Sequence, residues 1–300
     1  MLFYRDYKIF SGGHMKVFDY FNHTNLSEEF VAEIYVTRDS RVDHPWREQV
    51  GLVDQYSPNE ADALFIAGMD WEVLGMYPRI EERIPVINLI QGVRHASPDQ
   101  QLYQFLTRRA IRICVSDEVA QAIKSTGICN GPIFTIPNGI ELSLLPERRK
   151  DPVTDVFISG YKQPLLAKEI AIRLHRRGFS VDCLVVPTAR HIFLARMSKA
   201  QTVILLPHPE EGFYLPALEA MAMGLNVICP DCVGNRAFCV DEMTALVPRY
   251  DPADIEEAAL RLTRSSTLAE RIRRGALEVS NKFDIISERA AYHRVLSTLF

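Results

Sequence analysis

Glu211-Gly-Phe-Tyr-Leu-Pro-Ala-Leu-Glu219, followed by Ala-Met-Ala-Met-Gly224, is the stretch whose reading decides the fold. Pro216 suits the first position of a helix, where its missing N–H would have no partner in any case. Residues 217–223 are a short run of strong helix formers, and Gly224 stops it. No Ser, Thr, Asp or Asn stands close enough ahead of the run to cap it. The backbone N–H groups of Phe213, Tyr214 and Leu215 are therefore expected to serve a ligand. A helix N-terminus with open donors suits a phosphate. Glu211 precedes the helix and Glu219 lies about one turn inside it. Carboxylates beside a phosphate cradle suit hydroxyl groups, such as those of a ribose or a sugar.

The whole string resembles the Glu-x7-Glu signature of the retaining GT-B glycosyltransferases, family 4 above all. The resemblance implies that Glu211 meets the hydroxyls of a donor sugar and Glu219 those of the nucleotide ribose. It also implies that Gly212, Phe213, Tyr214 and Leu215 line the nucleotide. A spaced Glu pair around a buried Ala/Met helix is the plain structural alternative. The Gly, the Pro and the Ala-Met-Ala-x-Gly tail make the resemblance specific.

Other segments extend it. Gly160-Tyr161-Lys162 stands where family members carry Gly-Arg and, several residues later, Lys, the two cations of the donor diphosphate. Tyr161 takes the Arg position, so Lys162 is the expected surviving cation; Lys168 is expected inside a helix. Ile136-Pro-Asn138-Gly-Ile-Glu141 resembles the family's Ile-Pro-Asn-Gly-Ile-Asp string and brings Asn138 to the donor side. Asp231-Cys-Val-Gly-Asn-Arg236 resembles an Asp-x-Gly-Gly-x-x-Glu turn without its Glu. Ser11-Gly-Gly13-His14 follows a first apolar strand, where the family has a Gly-rich loop facing the donor phosphates. The string is equally an ordinary turn, and it is not the Gly-x-Gly-x-x-Gly of dinucleotide-binding proteins. His95, in Gln91-Gly-Val-Arg94-His95, is the candidate histidine for the donor sugar; Gln91 is the other residue able to hold that place, and a satisfied structural His is the alternative.

Outward from these motifs, short apolar runs alternate with helical ones. Strands are expected over 2–10, 30–37, 61–67, 84–90 and 111–115, then over 153–159, 180–186, 202–206 and 226–229. Helices are expected near 15–21, 100–109, 117–125, 165–177, 191–199, 255–262 and 287–299. That alternation means parallel sheets with helices on both faces. The fold class is thus α/β, and the resemblance makes it GT-B: two Rossmann-like domains across a cleft, 1–145 on the acceptor side and 153–285 binding the nucleotide-sugar. The polar run Pro146–Pro152 is the expected linker, and 286–300 is a C-terminal helix crossing back to the first domain.

Composition narrows the function classes. A 300-residue chain with 47% hydrophobic and 24% charged residues has ample core for two domains. The net charge of −4 gives no basic arm, so no nucleic-acid partner is expected. No long apolar run or signal peptide is read, so a cytoplasmic location is the default. A peripheral contact with the inner face of the membrane through Arg108, Arg109 and Arg112 competes with an ordinary solvated face. Cys229-Pro-Asp-Cys232 has no second pair to complete a zinc site, so its thiols read as reduced and no metal is expected.

The resemblance implies a metal-independent enzyme that moves a sugar from a nucleotide-sugar to a hydroxyl of a glycan or lipid-linked acceptor, retaining anomeric configuration. Lys162, Glu211 and His95 carry the chemistry in that picture, and no cofactor beyond the donor substrate is needed. A nucleotide-sugar epimerase, a glycoside hydrolase using the two glutamates, and a catalytically weak glycosyltransferase-like subunit are the alternatives.

Overall fold

The structure is a computed structural model and describes residues 1–9 and 11–299. Phe10 and Phe300, expected to end the first strand and the last helix segment, lie outside the described residues. Two compact units are present, one made of 1–138 with 286–300, the other of 139–285. The run Pro146–Pro152 belongs to the second.

In the first unit the strands are β1 (Leu2–Arg5), β2 (Glu33–Val36), β3 (Leu52–Val53), β4 (Leu64–Ala67), β5 (Val86–Ile90), β6 (Ile111–Cys114) and β7 (Ile133–Thr135). Its helices are α1 (Gly12–Asn25), the short α2 (Gln101–Gln104) and α3 (Asp117–Ser125). The strands pair in parallel in the order β3-β2-β1-β4-β5-β6-β7. Strands β4 and β5 are buried at every position, as expected where both faces of a parallel sheet are covered. Helix starts follow the local chemistry. Ser11 Oγ accepts from His14 N–H and Ser116 Oγ from Val119 N–H, each satisfying a donor of the first turn. The glycines expected in a loop, Gly12 and Gly13, are instead the first residues of α1, because Ser11 supplies the cap just before them.

The second unit holds β8 (Thr154–Ser159), α4 (Pro164–Arg176), β9 (Val181–Leu184), α5 (Arg190–Met197), β10 (Ala200–Leu205), α6 (Leu215–Ala222), β11 (Asn226–Ile228), α7 (Pro252–Arg264) and α8 (Ser266–Ser280). Its sheet is also parallel, in the order β11-β10-β8-β9. Apolar side chains from β8, α4, α7 and α8, among them Ile158, Leu174, Ile255 and Ile272, make one buried cluster.

The last helix, α9 (Ile285–Leu296), returns to the first unit and packs on α1. Lys16 is wholly buried between two carboxylates, 2.6 Å from Glu288 Oε2 and 2.8 Å from Asp19 Oδ2. Tyr292 and Thr24 hydroxyls lie 3.0 Å apart, and the Tyr292 ring meets Tyr20 edge-on at 4.8 Å. Burial opposes ionisation of Glu288, but Lys16 and His23 hold its carboxyl below the usual range. No helix among the described residues is long and apolar enough to cross a membrane.

Candidate functional site

The second sheet reverses its winding between β8 and β10, with β9 on one side of β8 and β10 and β11 on the other. Parallel α/β sheets bind ligands in the crevice beyond the strand carboxyl ends at such a reversal. Ser159 and Leu205 are register partners there, so the chain after each leaves the sheet side by side. Lys162 and Glu211 come from these two loops and form an ion pair. The Lys162 ammonium also stands 5.6 Å from the centroid of the Tyr214 ring.

Glu219, the second signature carboxylate, is buried in α6. Its Oε1 accepts from both Nε (2.9 Å) and Nη2 (2.6 Å) of Arg190, the first residue of α5. Burial pushes the Glu219 carboxyl up and Arg190 opposes the shift. A buried carboxylate stays charged only where such a partner holds it. Sequence reading missed Arg190, since a lone Arg at a loop–helix junction has no local signature. The available signal was positional: it follows β9, the other neighbour of β8.

The expected cluster of open N–H donors is smaller than the sequence implied. Tyr214 N–H donates to Gly234 O at 2.9 Å, and Leu215 N–H turns back to Phe213 O at 3.3 Å. Gly212 and Phe213 N–H find no protein acceptor among the described residues. The cause is the 231–236 turn, which packs its backbone against the signature loop. A Cβ on Gly234 would sit 2.3 Å from Phe213 N, so only glycine fits. Phe213 is fixed by Phe238 and Phe283, with ring centroids 5.3 and 5.8 Å away. Arg236, near the place of the family's Glu, forks onto Asp231 at 2.9 and 2.7 Å. At the other end of α6, Gly224 has φ +69°, a conformation that lets the helix stop sharply.

Thus Lys162, Glu211, Gly212, Phe213, Tyr214, Leu215 and Glu219 gather at one edge of the second sheet. The remaining candidates lie in the first unit. Gly13 O accepts from Gln91 Nε2 at 3.2 Å, which ties the start of α1 to the segment after β5. His95 follows on that segment, and burial with the Arg94 and Arg112 charges lowers its pKa to about 4. It is therefore neutral at pH 7. Asn138 is buried, and its Oδ1 has no partner among the described residues. This sheet reverses between β1 and β4. Arg5 stands at that point, 2.8 Å from His14 Nδ1 and 2.6 Å from Asp70 Oδ2.

Arg108, Arg109 and Arg112, weighed as a membrane contact or a solvated face, do not share one exposed face. Arg112 is fully buried and donates to Asn88 Oδ1 at 2.7 Å. Arg108 forks onto Glu81 at 2.7 and 2.6 Å, leaving Arg109 as the exposed member. Cys229, Cys232 and Cys239 are buried free thiols.

Two parallel sheets with this arrangement define an α/β protein of the GT-B fold, and residues 144–265 match the family of glycosyl transferases group 1. That match falls within the second unit. Among relatives, D-inositol 3-phosphate glycosyltransferases from Nocardioides sp. and Jonesia denitrificans are 32% and 30% identical over 129 and 149 residues. Those matches take in 42% and 47% of this chain but 28% and 34% of the relatives. The chain thus matches only about a third of the length of these curated relatives. Among solved structures, Anabaena HepE in complex with UDP superimposes with a TM-score of 0.77 at 14% identity, covering 99% of each chain. Sucrose-phosphate synthase of Thermosynechococcus elongatus gives 0.74 at 13%, covering 100% of this chain and 98% of that one.

Proposed function

We propose that the chain transfers a sugar from a nucleotide-sugar to an acceptor hydroxyl, with retention of configuration and without a metal. The observation that carries this is the Lys162–Glu211 pair at the winding reversal of a group 1 glycosyl transferase unit. HepE crystallised with UDP and with UDP-glucose supports a nucleotide-sugar at such a fold. In this reading the leaving diphosphate takes Lys162 and the N–H groups of Gly212 and Phe213. Charge builds on that leaving group in the transition state, and donors aimed at it lower the barrier. Glu211, released from Lys162, accepts from the sugar hydroxyls. The acceptor oxygen attacks from the face the diphosphate leaves, and a phosphate oxygen takes its proton, so no side chain is a nucleophile. The acceptor is a glycan or a lipid-linked sugar.

A panel of nucleoside diphosphates in a thermal-shift experiment tests the reading. One of them, at about 100 times its Kd, should stabilise the chain by about 2.7 kcal/mol. Sugar transfer from the matching donor should persist in excess chelator. The proposal fails if no nucleoside diphosphate stabilises the chain. Binding without turnover would instead favour a sugar-binding subunit, a reading supported by exposed Tyr161 where the family carries Arg. Interconversion of the donor without acceptor would indicate an epimerase.

A further inference from the structure

The Arg190–Glu219 pair is asymmetric. Both guanidinium donors that Glu219 engages, Nε and Nη2, converge on a single carboxylate oxygen. The opposite corner of the guanidinium, Nη1, finds no acceptor among the described residues. Arg190 keeps 36% of its side chain exposed while Glu219 keeps 5%. Glu219 thus lies deeper than Arg190, whose guanidinium keeps a donor that no protein group takes among the described residues.

The elements explain the placement. β8 lies between β9 and β10, and Ser159 is in register with both Leu184 and Leu205. The loop after β8 holds Tyr161 and Lys162, the segment after β10 holds Glu211, and the segment after β9 ends at Arg190. All three leave the same edge. The position after β8 that would carry an Arg holds Tyr161, so that loop supplies one cation, Lys162. Arg190 brings a second cation to the same edge from the neighbouring strand.

We infer that Arg190 is a donor-binding residue that gives its Nη1 to a phosphate oxygen of the nucleoside diphosphate, and that Glu219 is a positioning residue which anchors it. Phosphate is the matching acceptor because a charge-assisted bond to an anionic oxygen is about twice as strong as a neutral one. A guanidinium also presents its donors as a fixed plane, so an anchor on one side aims the other. The inference rests on the glycosyltransferase reading and assigns its second diphosphate contact.

The test is calorimetric titration with UDP and with uridine, using the parent, Glu219→Gln, Arg190→Ala and the double variant. Arg190→Ala alone leaves the Glu219 carboxylate buried without its partner and is open to misfolding. The comparison that decides is therefore the double variant against Glu219→Gln, in which no buried charge is stranded. Arg190→Ala in that background should weaken UDP binding by roughly 10- to 100-fold, the range of a charged hydrogen bond, and leave uridine binding unchanged. Equal UDP affinity in the double variant and Glu219→Gln would overturn the inference, since Arg190 would then only neutralise Glu219. An equal loss for UDP and uridine would also overturn it, by placing Arg190 on the nucleoside. A parent that binds none of the nucleoside diphosphates would instead sink the glycosyltransferase reading itself.

Discussion

Lys162 and Glu211 face each other because two register partners, Ser159 and Leu205, release their loops at one point. In the proposed reaction Lys162 leaves Glu211 for the diphosphate. Lys162→Ala should lower turnover by roughly 10- to 1000-fold, a loss of about 1.4–4 kcal/mol of transition-state stabilisation. Its effect on folding should stay below about 1 kcal/mol, because the pair is half-exposed. Glu211→Gln should reduce turnover while sparing affinity for the free diphosphate, since its sugar partner exists only in the intact donor. Steady-state kinetics beside diphosphate titrations of both variants check this. Kinetics unchanged in Lys162→Ala would move the role to another cation. The signature residues were legible because Glu211, Pro216 and Gly224 each have a local reason for their place. What they touch was not. Nothing near Glu219 in sequence announces Arg190, and nothing near Tyr214 announces that Gly234 will take its N–H.

At the scale of elements, strong caps and long apolar runs were readable, and short pieces were not. Ser116 with Asp117 and Glu118 fixes the start of α3 at the expected residue, and the apolar β4 and the β5 run, apolar but for Asn88, read as buried strands. β3 and β7, of two and three residues, are too short for a period to show. They exist because a neighbouring strand offers them an edge. α8 is not legible either, since α7 ends at Arg264 and only Ser265 separates the two helices. The α1–α9 contact offers a test of buried charge. Lys16→Met strands the Glu288 and Asp19 carboxylates and should cost about 3–5 kcal/mol. Adding Glu288→Leu should recover much of that loss, because of the two carboxylates only the less buried Asp19 then lacks its cation. Urea unfolding of the parent and both variants measures it. A double variant less stable than Lys16→Met would show that the ion pair contributes more than an apolar contact in its place.

Over the whole molecule, the parallel α/β architecture followed from alternation and its division into two units from chain length and the family resemblance, while the unit assignment of the Pro146–Pro152 run depended on contacts no local pattern encodes. Stability as a function of pH is likewise a property of the whole chain. His14 and His95 have pKa values lowered to about 4, by burial first and by neighbouring guanidinium groups. As pH falls from the ordinary histidine value of about 6.5 towards 4, the unfolded chain binds protons that the folded chain refuses, and stability drops. Asp70 acts in the opposite sense. Burial raises its pKa to about 6 against the pull of Arg5, so the folded chain gains a proton early as pH falls through 6. The two histidines outnumber the one carboxyl, and they set the sign of this set. Denaturant melts at pH 7 and pH 4.5 should show a smaller acid loss in His95→Asn than in the parent. An equal or larger loss in the variant would contradict the assignment.

The Lys162–Glu211 and Arg190–Glu219 pairs also bear on discrimination. With both cations already answered by carboxylates, the edge of the second sheet carries no surplus charge with which to hold a small anion. Inorganic phosphate or sulfate could take Lys162 only by leaving Glu211 unanswered. In the reading proposed for this chain, a nucleotide-sugar satisfies both kinds of group at once, with anionic oxygens for the cations and hydroxyls for Glu211. The empty site is therefore its own competitor at Lys162, and a ligand that brings hydroxyls along with its anionic oxygens displaces it at the least cost.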